Sequence, residues 1–257
     1  WSGNLRGHEG TMKAVAIVNN NGGVGRTTLA VHLALHASAL GIKTTAVSLC
    51  RQGDLYAWLS GGQRAASAGD VMQISSCLDI VFSPDEIPEL GEASLVVYDC
   101  PSIFTIPVRD DVVRAPPTTP VHRAWLEQPP KPAAYKLWIP GAPTPDLWLI
   151  PTPARPPAQL LVDTLHELTA EGGTIWCVLY AAMNQAVALQ ALSDATSQFP
   201  NVKVCDHKIP DSPLIRKAAD DYRSAWEGRL GDRDPHALAL SGLCDEILTQ
   251  LDLAPRH

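Results

Sequence analysis

The sequence predicts an α/β domain with a doubly wound, mainly parallel central sheet and helices on both faces. Strand-like apolar runs alternate with helical ones along the 257 residues, which is the pattern of βαβ units. An early run, Ala14-Val15-Ala16-Ile17-Val18, passes through a glycine-rich turn into an apolar helical stretch from Thr27 to Leu40. Hydrophobic residues make up 46% of the chain, enough to cover a sheet on both sides. A chain of 257 residues fits one such domain, because open parallel sheets of this size often stay undivided.

The turn after the first strand reads Asn19-Asn20-Asn21-Gly22-Gly23-Val24-Gly25-Arg26-Thr27-Thr28. Backbone N–H groups of a strand–glycine turn–helix unit converge on an anion, and the positive end of the helix dipole faces it. A Thr directly after a basic residue can offer its hydroxyl to Mg²⁺ while the basic side chain reaches the outer phosphates. These residue types point to a nucleoside triphosphate. The pattern G-x-x-x-x-G-K-S/T is not met, since Asn20 stands at its first Gly and Arg26 at its Lys. A Rossmann reading also fails. Thr28 occupies its third glycine position, and Ser48 ends the second strand where a ribose-binding acid is needed.

The turn instead resembles the deviant Walker motif, K-G-G-x-G-K-S/T, of the ParA/MinD family of partition and positioning ATPases. Gly22, Gly23, Gly25, Thr27 and Thr28 match it, while Asn21 and Arg26 stand at its two lysines. Further segments follow in the family's order. Ala46 to Asp54 is similar to the second strand and switch loop, D-x-D-P-Q-G-N, with Gln52 and Gly53 matching and Ser48 and Cys50 in place of both aspartates. Ser94 to Pro101 resembles the strand that ends in D-x-P, with Asp99 as its acid. Leu147 to Pro153 resembles the next core strand, and Val204 to Ala218 the late strand, loop and helix start. The likeness is weak over 55–90 and 102–145.

The resemblance implies a P-loop NTPase fold of the deviant Walker A type, with ATP and Mg²⁺ as cofactors. It places the nucleotide on Gly22, Gly23, Val24, Gly25, Arg26, Thr27 and Thr28, with Pro210 and Asp211 beside the adenine. It places the metal on Thr27 and, through water, Asp99. It also implies a nucleotide-dependent homodimer, an adaptor or activator protein, non-specific DNA as a candidate matrix, and a role in plasmid or chromosome partition or cargo positioning. The family's catalytic positions are altered. Asn21 stands where a lysine reaches the partner subunit's phosphates, and Cys50 where an aspartate helps place water. Thiols have an ordinary pKa of about 8.5, so Cys50 is a poor substitute for a carboxylate. Losing one such electrostatic group can cost on the order of 10²-fold in rate. Binding is therefore expected to outlast turnover.

The net charge of −7 disfavours a strongly basic nucleic-acid surface. Between Lys203 and Asp234 seven basic residues are balanced by seven acidic ones, the composition of a solvated mixed-charge face. Six scattered cysteines without a C-x-x-C pair read as reduced thiols of a cytoplasmic protein and offer no iron–sulfur spacing. No apolar run reaches membrane-span length, and the last helix, about Ala237 to Leu251, carries Asp245 and Glu246 instead of the lysines of a membrane-seeking tail. His32 and His36 lie four apart on the first helix, but without H-E-x-x-H or a third ligand they read as ordinary helix residues. Residues 1–11 have no periodic pattern and are expected to be a leader outside the fold, with Met12 a natural start and no helix-turn-helix ahead of the turn.

From Pro101 to Pro157 the chain carries 15 of its 22 prolines, and the stretch is expected to run outside the sheet as an insertion at about 102–145. Pro129-Pro130-Lys131-Pro132 and Pro140-Gly141-Ala142-Pro143 are candidate docking motifs within it. Two other readings stand beside the partition ATPase. One is a degenerate P-loop scaffold that binds a protein through this stretch. The other is a P-loop transferase or ligase of the wider superfamily, such as the dethiobiotin or cobyrinate amidation enzymes.

Overall fold

Strand β1 (Lys13–Ile17) lies inside an eight-stranded sheet, between β5 (Leu95–Asp99) and β8 (Leu147–Pro153), and both neighbours run parallel to it. Beyond β8 come β9 (Thr174–Tyr180) and β10 (Val202–Val204); beyond β5 come β2 (Thr44–Ser48), β4 (Leu78–Phe82) and β3 (Asp70–Ser75). The computed structural model describes residues 12–19, 23–84, 86–102, 104–105, 135–136, 138–139, 142–153, 158–180, 185–209, 212–227 and 234–253. The leader expected at 1–11 and the docking motif at 129–132 lie outside the described residues, as do Pro140 and Gly141.

The central strands are buried on both faces, which is why their sequences are unbroken apolar runs. Alternation along β1 sends Val15 and Ile17 to one core and Ala16 and Val18 to the other. The first core is closed by α1 (Arg26–Ala39), α2 (Asp54–Leu59), α5 (Pro213–Asp220) and α6 (Pro235–Gln250). The second is closed by Leu161, Leu165 and Leu168 of α3 (Ala158–Glu171) and Leu192 of α4 (Gln185–Thr196). Helices thus cover both faces, as the sequence predicts.

The β3–β4 hairpin was not legible in advance as a pair. β3 is antiparallel and forms the sheet edge, and its residues alternate between half-buried and exposed. Only Met72-Gln73-Ile74-Ser75 alternates apolar with polar; Asp70 on the covered side and Val71 on the exposed side break the pattern.

The core strand expected at Leu147 to Pro153 is present as β8, so Pro151 and Pro153 lie in the sheet although the proline-rich stretch as a whole was expected outside it. The reason is local. β8 pairs with β1 only over Leu147–Leu149, where the Leu149 carbonyl accepts from Val18 N–H. Residues 151 and 153 share the orientation of Leu149, so their missing N–H groups face the flank that β1 has already left. The Asn19 side chain uses that flank, donating from Nδ2 to the Pro151 carbonyl at 2.6 Å.

Two short strands, β6 (Phe104–Thr105) and β7 (Tyr135–Lys136), pair antiparallel and bring the two ends of the proline-rich stretch side by side. Just after β7, Trp138 is buried with its ring edge-on to Tyr98 at 5.4 Å and to Trp148 at 5.2 Å. Trp148 donates from Nε1 to the Gly172 carbonyl at 2.7 Å. All six cysteines are free, and four of them are buried. Among the described residues no helix is long and apolar enough to cross a membrane.

A turn at 221–226 links three helices of the first core. Trp58 Nε1 of α2 donates to the Arg223 carbonyl at 2.8 Å, and Trp226 Nε1 donates to the Ala237 carbonyl of α6 at 3.1 Å. Tyr222 within this turn has φ +53°.

Trp138→Ala is expected to lower the unfolding free energy by ~3–5 kcal/mol, the range for removing a large buried aromatic. Urea unfolding followed by circular dichroism checks this; a change below about 1 kcal/mol would show that the ring is not part of the core.

Candidate functional site: a phosphate turn beside a buried carboxylate

The site begins where β1 hands over to α1. Gly23 and Gly25 have φ of +69° and +85°, left-handed conformations that any side chain would strain. Gly25 is the N-cap residue of α1; it offers no side-chain cap, and the first turn holds no acidic residue. The first N–H groups of a helix have no partner within it, so this positive end is open to an anion from outside. Val24 is buried beneath the turn, and the first helical bond runs from Leu29 N–H to the Gly25 carbonyl at 2.9 Å. Asn20, Asn21 and Gly22 lie outside the described residues. Pro210 and Asp211 do too; their neighbours are placed, with Ile209 N–H donating to the Leu179 carbonyl at 2.9 Å and Ser212 capping α5.

Asp99 ends β5, in register with Ile17 of β1 and Ser48 of β2. Its side chain is buried, and Oδ2 accepts from Thr27 Oγ1 at 2.9 Å. The structure therefore brings together the two residues assigned to the metal. Burial pushes the Asp99 carboxyl up to about 6; the Thr27 bond and the Arg26 charge oppose that push, and Asp54 adds to it. A desolvated carboxylate and a hydroxyl, both hard oxygen donors, beside an uncapped helix N-terminus suit Mg²⁺ with a phosphate. On these observations the described residues fit a phosphate and a divalent cation.

Arg26 is braced on two sides. Nη1 donates to the Asn19 carbonyl at 2.8 Å and Nη2 to Ser102 Oγ at 2.9 Å. Ser102 was not singled out from the sequence; its only signal there is its place directly after Asp99-Cys100-Pro101. Cys50 follows β2 and is half-buried, with its thiol 4.0 Å from Gln52 Oε1. Burial raises its pKa, the Gln52 backbone lowers it, and Asp99 and Asp54 raise it further, so the group is a neutral thiol near pH 7. Gly53, at φ +70°, then opens α2. Ser48, at the other altered acid position, is fully buried, and its hydroxyl has no hydrogen-bond partner among the described residues.

The two histidines of α1 face different partners. His32 is fully buried, with Nε2 accepting from Ala225 N–H at 3.1 Å. That bond leaves the proton on Nδ1, which donates to the Thr28 carbonyl at 2.7 Å. Burial pushes its pKa down to about 4, and the Thr28 bond works against that shift. His36 Nε2 pairs with Asp245 at 2.6 Å. Among the described residues no group of three or more His, Cys, Asp or Glu is arranged to hold a metal.

Asp99 and His32 give opposite pH dependences. Between about 4 and 6 the folded Asp99 keeps a proton that the unfolded acid has lost, so its contribution is full at low pH and vanishes as pH rises through 6. His32 stays neutral when folded while the unfolded ring protonates, so its contribution is lost as pH falls from 6.5 through about 4. Asp99→Asn, without nucleotide or Mg²⁺, is expected to gain stability over the wild type by up to ~3 kcal/mol at pH 7 and by almost nothing at pH 4. Urea unfolding across that range tests it; a pH-independent difference would contradict the burial of the acid.

No protein-family model matches the chain, and no curated protein matches it in sequence. Solved structures do. An ATP complex of Cyanothece McdA is 16% identical at a TM-score of 0.65, covering 96% of this chain and 99% of that one. The septum site-determining protein MinD of Pyrococcus horikoshii, complexed with Mg-ADP, is 17% identical at 0.61, covering 92% and 96%. Cobyrinic acid a,c-diamide synthase of Mycobacterium smegmatis, with bound ADP and magnesium, is 13% identical at 0.56, covering 94% and 96%. At these identities the likeness is one of fold. The chain has the P-loop NTPase fold of the ParA/MinD type, an eight-stranded, mostly parallel sheet with helices on both faces.

Proposed function

We propose that this protein is a ParA-like nucleotide-binding switch that takes ATP with Mg²⁺ and acts in partition or cargo positioning, with hydrolysis weak or lost. The observation that carries the reading is the Thr27–Asp99 hydrogen bond at the open N-terminus of α1. The fold likeness to McdA with ATP and to MinD with Mg-ADP supports it. In this reading the backbone of Gly22, Gly23, Val24 and Gly25 receives the phosphates with Arg26, Thr27 and Thr28. Pro210 and Asp211 border the adenine. Thr27 and, through water, Asp99 hold the metal, which supplies positive charge against the phosphates. Asp99 must ionise for this, so a bound cation pulls its proton off below pH 6. Weak turnover follows from Asn21, which carries no charge, and from Cys50, whose thiol stays protonated.

The same reading includes a nucleotide-dependent homodimer, an adaptor or activator protein, non-specific DNA as the candidate matrix, and a cytoplasmic location away from membranes. Because the fold is shared with an amide-forming synthase, an ATP-dependent ligase is the second reading.

Titration calorimetry of the purified chain is expected to show ATP and ADP binding that strengthens with Mg²⁺ and is largely abolished in Thr27→Ala with Asp99→Ala. Absence of heat for either nucleotide would leave a scaffold without ligand as the better account. Asn21→Lys, Arg26→Lys and Cys50→Asp combined are expected to raise phosphate release by roughly 10²-fold or more. No gain in a steady-state assay would place the defect elsewhere.

A further inference from the structure

Arg26 joins the carboxyl-end exits of two adjacent strands, β1 and β5. Asn19, just past β1, donates from its side chain to the Pro151 carbonyl of β8, and its own carbonyl accepts from Arg26 Nη1. The other terminal nitrogen of the same guanidinium reaches Ser102 Oγ, three residues past the end of β5. The side chain is thus stretched between two strand exits at the mouth of the phosphate turn. A guanidinium holds five N–H donors in one plane, and these two bonds engage one donor on each terminal nitrogen. The ammonium of a lysine has three donors on one atom and lacks the planar, forked edge that a guanidinium keeps while its ends are held.

We propose that Ser102 is a positioning residue: it fixes the plane of Arg26 so that the remaining guanidinium N–H groups address the outer phosphates of a nucleoside triphosphate. This rests on the nucleotide-binding reading above. The physical gain is preorganisation. An arginine carries much rotamer freedom, and a side chain already held by the protein loses less of it when the ligand arrives. The effect belongs to the outermost phosphates, so it discriminates ATP from ADP. Ser102 itself touches no ligand and acts only through Arg26.

Calorimetry with ATP and with ADP, both with Mg²⁺, tests this in the full chain. Ser102→Ala is expected to weaken ATP on the order of tenfold, as for loss of a hydrogen bond to a charged group, and ADP by clearly less. Ser102→Thr, which keeps the hydroxyl, is expected to restore ATP affinity. In an Arg26→Ala background the Ser102→Ala change is expected to have no effect, because no guanidinium remains to be held. Equal losses for ATP and ADP, an undiminished loss in the Arg26→Ala background, or no loss at all would each overturn the positioning role while leaving nucleotide binding intact. Wild-type protein that binds neither nucleotide overturns the underlying reading and this one with it.

Discussion

A single hydrogen bond between a first-turn hydroxyl and a buried acid holds the site together. Asp99 lies at the end of a strand with neighbours on both sides, so water cannot solvate its charge. Thr27 supplies the side-chain hydrogen bond that the carboxylate accepts. That contact fixes where α1 begins relative to β5, and hence where the glycine turn must pass. The unfavourable state of the acid without a ligand is the physical reason to expect a cation there. A positive charge would relieve a desolvated carboxylate.

Much of the architecture was legible because central parallel strands have little choice. β1, β5 and β8 are buried on both faces, and their mainly apolar runs read as strands without an alignment. The glycine turn was legible for a similar reason, since Gly23 and Gly25 occupy left-handed backbone conformations that favour glycine. β3 was harder. At a sheet edge only half of each strand is covered, and a weak alternation is all the sequence shows. Pro151 could be expected in a strand only from the resemblance, because the rule against proline in sheets depends on which flank is paired, and pairing is a tertiary fact. Ser102 was not legible for the same reason. A lone serine has meaning only once a strand register sets it across from Arg26.

The altered residues around the site fall into two physical kinds. Arg26 keeps a full charge and gains a brace, so its replacement changes geometry more than electrostatics. Ser48 and Cys50 remove charge where the family pattern has aspartates, leaving an unbonded buried hydroxyl and a protonated thiol. The four buried cysteines do not compensate, because burial raises the pKa of Cys100, Cys177, Cys205 and Cys244 and keeps them protonated.

His32 gives α1 a second anchor, six residues into the helix from Arg26. Its imidazole joins the Thr28 carbonyl to the Ala225 amide, and the segment carrying Ala225 is tied to α2 through Trp58 and to α6 through Trp226. The helix bearing the phosphate turn is therefore not free to pivot alone. Any tilt that follows an arriving anion must drag the opposite rim of the first core with it, or else break an imidazole bond that no solvent can replace.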